Sequence, residues 1–317
     1  MKLVMTLLVR DEQDILRENL EFHLARGVDE IILMDNLSCD GTEDIAREYE
    51  RAGYLHYIFQ PRDDYSQGRW VTHMARRASE ELHADWVINS DADEFWWPHA
   101  GSIKDALAAV GTGAAAASAE RTNFVARTAN GDPFWRRMNV RRTASVNSLG
   151  QPLPPKVAHR ALPGVVVAQG NHSVSLAGAD LPSAAAPITI LHFPVRSHAQ
   201  FLNKIVKGGA AYARNTDLDP ATGKTWRHLY QLYLAGKFDA AYEKEVLADE
   251  QIDGGVATGA LVRDERLIAA LGRRPHWSSA SPCRAPHRPG ESCAELAGSM
   301  AALRAAPAAG KRPAQRA

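Results

Sequence analysis

Trp86-Val87-Ile88-Asn89 runs directly into Ser90-Asp91-Ala92-Asp93-Glu94, and this stretch decides the fold. A short apolar run that ends in a cluster of carboxylates reads as a buried strand reaching the rim of a sheet. Working outward toward the N-terminus, strand and helix signals alternate. Residues 2–10 predict a strand. Residues 12–26 predict a helix with an apolar face of Ile15, Leu16, Leu20, Phe22 and Leu24, and Gly27 supplies its stop. Ile31-Ile32-Leu33-Met34 is a continuous apolar run, as in a strand covered on both faces. Asp40-Gly41-Thr42-Glu43 has the form of a capping box opening a helix that closes near Gly53. A third strand is expected at 55–60, ended by Pro61, and a helix at about 68–84. The order β-α-β-α-β-α-β predicts an α/β fold built on a mostly parallel sheet with helices on both faces.

Beyond residue 112 the pattern is looser. A strand-like segment occupies 113–126, and short β-leaning pieces fill 133–177. A further strand is expected at Ile188–Phe193, with helices near 196–213, 225–236 and 238–249. From about Pro275 the composition turns to Ala, Pro, Arg and Ser. Residues 278–317 therefore read as a flexible tail with one Ala-rich helix at 292–305.

Composition narrows the classes. The 317 residues carry 37 Lys+Arg and 37 Asp+Glu, a balance that lacks the basic footprint of a nucleic-acid binder. Cys39, Cys283 and Cys293 have no C-x-x-C spacing, so neither a zinc knuckle nor a disulfide framework is indicated, and the sparse use suits a reducing cytoplasm. Leu3 to Val9 is cut off by Arg10-Asp11-Glu12-Gln13-Asp14 without a small-residue cleavage site, so it reads as a strand and not as a signal segment. No apolar run approaches the ~18 residues of a bilayer span. A cytoplasmic protein is expected, with peripheral attachment at the inner membrane face left open.

Two familiar nucleotide motifs fail. The turn after the first strand, Val9-Arg10-Asp11-Glu12, has no glycine to admit a pyrophosphate in the dinucleotide manner. Gly223-Lys224-Thr225 echoes the end of a P-loop, but Leu218 stands where the first glycine is required. Asp91-Ala92-Asp93 is the sharper signal. Two carboxylates one residue apart, at the carboxyl end of a parallel strand, suit a hard divalent cation held jointly with substrate phosphates. A solvated acidic loop is the plain alternative. Asp35, in Asp35-Asn36-Leu37-Ser38-Cys39-Asp40-Gly41-Thr42, also follows a buried strand, so it should share the rim of the sheet with Asp93. It could accept from the imide or amide of a base, while Ser38 and Asp40 could equally be turn and cap residues.

Taken together, these motifs resemble the nucleotide-sugar-dependent glycosyltransferases of family 2, with the GT-A fold. The resemblance lies in Arg10-Asp11-Glu12-Gln13-Asp14-Ile15, His23-Leu24-Ala25-Arg26-Gly27-Val28-Asp29, Asp35 to Thr42, and Asp91-Ala92-Asp93-Glu94-Phe95, which matches the D-x-D-E-F branch. His192-Phe193-Pro194-Val195-Arg196-Ser197 with Gln200, Phe201 and Lys204 extends it, to cover roughly residues 2–215. There are departures: many members carry Asn-Glu where Asp11-Glu12 stands, and D-D/G-S where Asn36-Leu37 stands.

The resemblance implies inverting transfer of a sugar from a nucleoside-diphosphate donor, UDP- or dTDP-linked, to a hydroxyl of a glycan, lipid-linked or small-molecule acceptor. Arg10, Glu12, Asp35 and Asp91 would bind the nucleotide. Asp91 and Asp93 would hold Mn2+ or Mg2+, and His192, at the end of the Ile188–Leu191 strand, would complete the shell or else hydrogen-bond in a strand-end turn. The implied organisation is a GT-A-like domain over 1–275, with a nucleotide-binding half at 1–100, an acceptor and metal half at 101–215 and a helical extension at 216–275. The tail is 276–317.

Inversion also asks for a base beyond the metal motif, for which Glu120 and Asp132 are the candidates. Glu120 ends the strand-like segment, and Asp132 lies in the Asn130-Gly131-Asp132-Pro133 turn. Lys156 and Arg160 could reach phosphate or form a solvated basic face. Trp96, Trp97, Phe134 and Trp135 could form a sugar platform or pack in the core, and His172 reads as a loop residue. Two rivals remain. A sugar-nucleotide nucleotidyltransferase would usually show a glycine-rich basic loop after the first strand. A non-catalytic nucleotide- or glycan-binding module would have no need of both Asp91 and Asp93.

Overall fold

A computed structural model describes residues 1–128 and 131–272. The N-terminal alternation forms as expected. It runs β1 (Leu3–Val9), α1 (Leu16–Ala25), β2 (Glu30–Asp35), α2 (Thr42–Arg51), β3 (Leu55–Phe59), α3 (Gln67–Glu80) and β4 (Trp86–Asp91). There follow β5 (Glu94–Pro98), α4 (Ile103–Ala108), β6 (Ala116–Asn123), α5 (Phe134–Arg137), β7 (Val140–Arg142) and β8 (Lys156–Arg160). Three short strands, β9 (Val166–Val167), β10 (Val174–Leu176) and β11 (Ala179–Asp180), lead to the long β12 (Ser183–His192). The C-terminal elements are α6 (His198–Arg214), α7 (Lys224–Leu234), α8 (Phe238–Glu243), α9 (Asp249–Ala257), β13 (Leu261–Arg263) and α10 (Arg266–Gly272).

Eight strands make one sheet in the order β3-β2-β1-β4-β8-β6-β12-β5. Only β8 and β5 run against the other six, so the expected α/β, GT-A-like, mostly parallel sheet flanked by helices is met. Strand β1 shows why both faces are covered. Leu3, Met5, Leu7 and Val9 enter the core shared with Ile15, Leu16 and Leu20 of the α1 region, while Val4 enters the core beneath Trp70, Val71 and Met74 of α3. A period-two strand buried on both faces must be apolar throughout, and this one is broken only by Thr6, whose hydroxyl donates to Asn89 Oδ1 at 2.7 Å.

One expectation needs correction, and one open alternative is decided. The helix after Asp40 begins at Thr42 with Gly41 as its N-cap, and no Asp40–Glu43 capping box forms. Asp40 instead accepts from the Thr42 and Gln13 amides, at 2.9 and 3.2 Å. The aromatic run Phe95-Trp96-Trp97 is an edge strand, β5, paired antiparallel with β12. Trp96 and Phe134 are buried in the main core, with Trp97 and Trp135 packed against it, so this group is packing and not a sugar platform. The tail boundary and the helix at 292–305 lie outside the described residues.

Strand direction positions the site. Six strands bring their carboxyl ends to one rim, and the two antiparallel strands bring their amino ends to the same rim. Register sets Asp35 opposite Val9 and Asp91 opposite Leu8, so Asp35 and Asp91 flank β1 there. Asn123 pairs with His192, and His192 with Glu94, while Lys156 opens β8. Among the described residues no helix is long and apolar enough to cross a membrane.

His159 on β8 is fully buried, and burial pulls its imidazole down to about 4, only partly opposed by its bond to the Arg160 carbonyl. The unfolded chain therefore binds a proton between about pH 6.5 and 4 that the fold refuses, so this histidine contributes stability that is present above pH 6.5 and lost toward pH 4. Thermal melts of His159→Phe across that window should show a shallower fall of Tm with acidification than the wild-type protein.

Candidate active site

The rim opens into a cleft of about 680 Å³, a size suited to a nucleotide-sugar. Its floor is the turn between β4 and β5. Asp93 is only 2% exposed and is paired with the Lys204 ammonium from α6. Its Oδ2 lies 3.6 Å from His192 Nε2, and the other ring nitrogen of that histidine meets Asn123 Oδ1 at 2.7 Å. Burial alone would raise the Asp93 carboxyl, but Lys204, His192 and Arg196 outweigh it and hold the group well below the usual carboxylate range. Asp93 and His192, paired in the sequence analysis, therefore lie side by side in the cleft.

Asp91 is half-buried and accepts from Lys156 Nζ at 2.5 Å and from Gln67 Nε2 at 3.3 Å. Lys156 is no solvated basic residue. It is 1% exposed and also reaches Glu94 Oε1 at 3.3 Å. Arg160, by contrast, stacks over the Trp86 ring and does not line the cleft. Glu94 is fully buried, and burial pushes its carboxyl up against the pull of Lys156. Every second residue of Asp91-Ala92-Asp93 therefore faces the cleft with its own lysine.

The loop after β1 supplies the second wall. Asp11 takes a left-handed backbone (φ 54°), a conformation that Asp tolerates better than most residues, and its carboxylate accepts from the Cys39 amide at 2.7 Å. The same carboxylate is paired with Lys207 and accepts from Asn203 Nδ2 at 3.0 Å. These two residues sit one helical turn apart on α6. Glu12 is buried and bonded to Arg196 Nη2 at 2.5 Å. Burial raises its carboxyl, opposed by Arg196 and Lys204. Arg10 lines the cleft and donates to Asp63 Oδ1 at 2.6 Å.

Asp35 is buried and is not among the cleft-lining residues. Its oxygens accept from the Ser38 amide (2.9 Å) and the Tyr57 hydroxyl (3.0 Å). Its neighbour Asn36 does line the cleft. The Asn36 amide nitrogen donates to the Gln60 and Arg62 carbonyls, while its Oδ1 is buried with no hydrogen-bond partner. Glu120 and Asp132 are both exposed, and neither lines the cleft. Arg121 lines it, and alternation along β6 turns Glu120 to the other face. A base must touch the acceptor, so those two residues stand in the wrong place for that role. His172 does line the cleft, with burial pulling it down to about 4 and Lys156 and Arg121 adding to the shift.

Motif reading missed the aromatic wall. Tyr65, Tyr212 and Trp226 gather with ring centroids 4.7, 5.6 and 6.3 Å apart, and Lys204 Nζ stands 5.6 Å from the Trp226 ring centroid. The wall depends on close packing of α6 and α7. A Cβ at Gly208 would stand 2.4 Å from Trp226 Cζ3, and one at Gly209 the same distance from Tyr230 Cβ. The adjacent glycines Gly208-Gly209 within a helical pattern were the available signal.

Residues 7–162 match the family model described as Glycosyl transferase family 2. The protein is a glycosyltransferase. No curated protein matches the chain. Among solved structures it is similar to TarS 1-349 of S. aureus in complex with UDP-GlcNAc, at 13% identity and a TM-score of 0.38, over 79% of this chain and 78% of that one. It is also similar to the mannosyltransferase PcManGT of Pyrobaculum calidifontis in complex with GDP-Man and Mn2+, at 13% identity and a TM-score of 0.36, over 86% and 78%. A third is the glucosyl-3-phosphoglycerate synthase of Mycobacterium tuberculosis with Mn2+ and UDP, at 17% identity and a TM-score of 0.30, over 50% and 57%. The family match ends at residue 162, so His192, Arg196, Lys204 and two of the three rings of the aromatic wall, Tyr212 and Trp226, come from chain beyond it.

Arg196 is 1% exposed and bonds Glu12 and both oxygens of Asp14, at 2.5 to 2.8 Å. Removing one member of a buried ion pair strands the other. Urea denaturation of Arg196→Met should therefore show a loss of about 3–5 kcal/mol, with Glu12 the main stranded charge.

Proposed function

We propose that this glycosyltransferase moves a sugar, with inversion, from a UDP- or dTDP-linked donor to an acceptor hydroxyl, with Mn2+ or Mg2+ as its cation. The observation that carries the reading is Asp93, buried yet held ionised on the cleft floor, with His192 Nε2 3.6 Å away. A carboxylate and an imidazole so placed fit a divalent cation as two protein ligands. Among the described residues no third His, Cys, Asp or Glu converges with them, so the other positions of the shell would fall to diphosphate oxygens and water. Such a cation supplies Lewis-acid stabilisation of the departing diphosphate.

The chain's own residues account for the rest. Lys156 and Lys204 hold two positive charges in a dry site, where they act on a diphosphate more strongly than in water. With donor bound, each ammonium can turn from its aspartate to a phosphate oxygen, which leaves Asp93 open to the cation. Asp35 shapes the nucleoside end by fixing the turn at Ser38. Asn36, with its amide nitrogen already spent, offers Oδ1 as an acceptor for the imide N–H of uracil or thymine. Tyr65, Tyr212 and Trp226 give the sugar an apolar face to lie on.

A screen of nucleotide-sugars with Mn2+, reading released nucleoside diphosphate, tests this. UDP- or dTDP-sugars should turn over, excess EDTA should stop the reaction, and Asp93→Asn should lower turnover by about 100-fold or more while the circular dichroism spectrum stays unchanged. Full activity in EDTA, or in Asp93→Asn, would remove the cation from the reading.

A further inference from the structure

We propose that Glu245 is the general base that takes the proton of the acceptor hydroxyl, an assignment that rests on the glycosyl-transfer reading above. The carboxylates lining the cleft are Asp11, Glu12, Asp91, Asp93 and Glu245. The first four are committed, each to one cation: Lys207, Arg196, Lys156 and Lys204 respectively. Among the described residues the Glu245 carboxylate has neither an ion pair nor a side-chain hydrogen bond, so both of its oxygens are available to an acceptor.

Its place in the fold suits the task. Glu245 follows α8, and its amide donates to the Tyr242 carbonyl at 2.9 Å. The next residue, Val246, bridges to Ala126, and the Leu247 amide donates to the Ala126 carbonyl at 3.1 Å. That pins the segment just beyond the end of β6, where Asn123 holds the His192 ring beside Asp93. Arg10 and Asn36 belong to the β1 and β2 end of the rim, and β4 and β8 lie between them and β6. Glu245 thus stands at the end of the cleft away from the proposed nucleoside end, on the side from which an acceptor can approach. Burial raises the Glu245 carboxyl, with Arg142 on β7 the charged neighbour acting against it, and a base gains proton affinity from such a shift.

The step balances. The acceptor oxygen forms its bond to the anomeric carbon as the bond from that carbon to the diphosphate oxygen breaks. The leaving diphosphate carries off the electron pair of the broken bond, and the acceptor proton passes to a Glu245 oxygen.

The test uses the full chain with UDP-glucose, UDP-galactose and UDP-N-acetylglucosamine, Mn2+, and water as acceptor, reading UDP release against pH. Glu245→Gln should lower release by about 100-fold or more and abolish the acid-side fall of the wild-type rate, with UDP affinity unchanged by calorimetry and Glu245→Asp intermediate. Release near the wild-type rate with the acid limb intact would overturn Glu245 and leave glycosyl transfer standing. Joint loss of release and of UDP binding would overturn it too, because the residue would then serve the donor site or the fold. If the wild-type protein releases UDP from none of the three donors, the failure belongs to the glycosyl-transfer reading, and Glu245 has no proton to take.

Discussion

Arg196 ties together two stretches of chain that are nearly two hundred residues apart. Its guanidinium, taken almost wholly out of water, binds Glu12 and Asp14 from the loop after β1, while its own segment follows β12. Such a contact gains little net stability, because desolvation of the charges offsets most of their attraction. What it supplies is geometry. With the loop after β1 held against the start of α6, Lys204 reaches Asp93, and Asn203 and Lys207 reach Asp11. Each lysine offsets the cost of burying its carboxylate and favours its ionised form. The cleft is a lattice of compensated charges, and Arg196 sets its spacing.

That lattice also explains how the site can hold a dianionic ligand without a basic surface. The formal charge of the whole chain is zero. Lys156, Lys204 and Lys207, which face the cleft, are each paired with an acid, so these three present little unbalanced field in the free protein. A phosphate group entering there competes for ammonium groups already desolvated. Much of the cost of ordering them has been met in folding.

How much of this the sequence disclosed depends on whether each signal was local. Strands β1 to β4 were legible because buried parallel strands are apolar throughout, and Asp91 and Asp93 because carboxylates ending such a strand stand out. Strand β5 was not, since Phe95-Trp96-Trp97 looks the same in a core loop as in an edge strand. Lys156 was left between two readings because its partners, Asp91 and Glu94, are more than sixty residues away, and a lysine inside a sheet is intelligible only once those partners are known. Asp35 carried the right motif, but its oxygens are taken by Ser38 and Tyr57, and Tyr57 comes from a different strand. Glu120 failed through parity, since one residue along a strand exchanges faces. Glu245 belongs to no motif at all and gains its meaning from the bridge between Val246 and Ala126.

The sheet order has a consequence for how the molecule is made. Strands β5 and β6 are consecutive in the chain but not neighbours in space, because β12 lies between them. A nascent chain leaving the ribosome therefore exposes two strand edges facing an empty slot until residue 192 has emerged. Through that interval Asp93 lacks Lys204, and Phe95 and Trp96 lack the Ile190 and Leu191 that later lie beside them. Vectorial synthesis thus delivers strands β1 to β4 first and leaves a sticky, uncompensated cleft for last. The final strand must then insert between two already formed, which makes closure of the sheet and completion of the cleft's charge array a single late event.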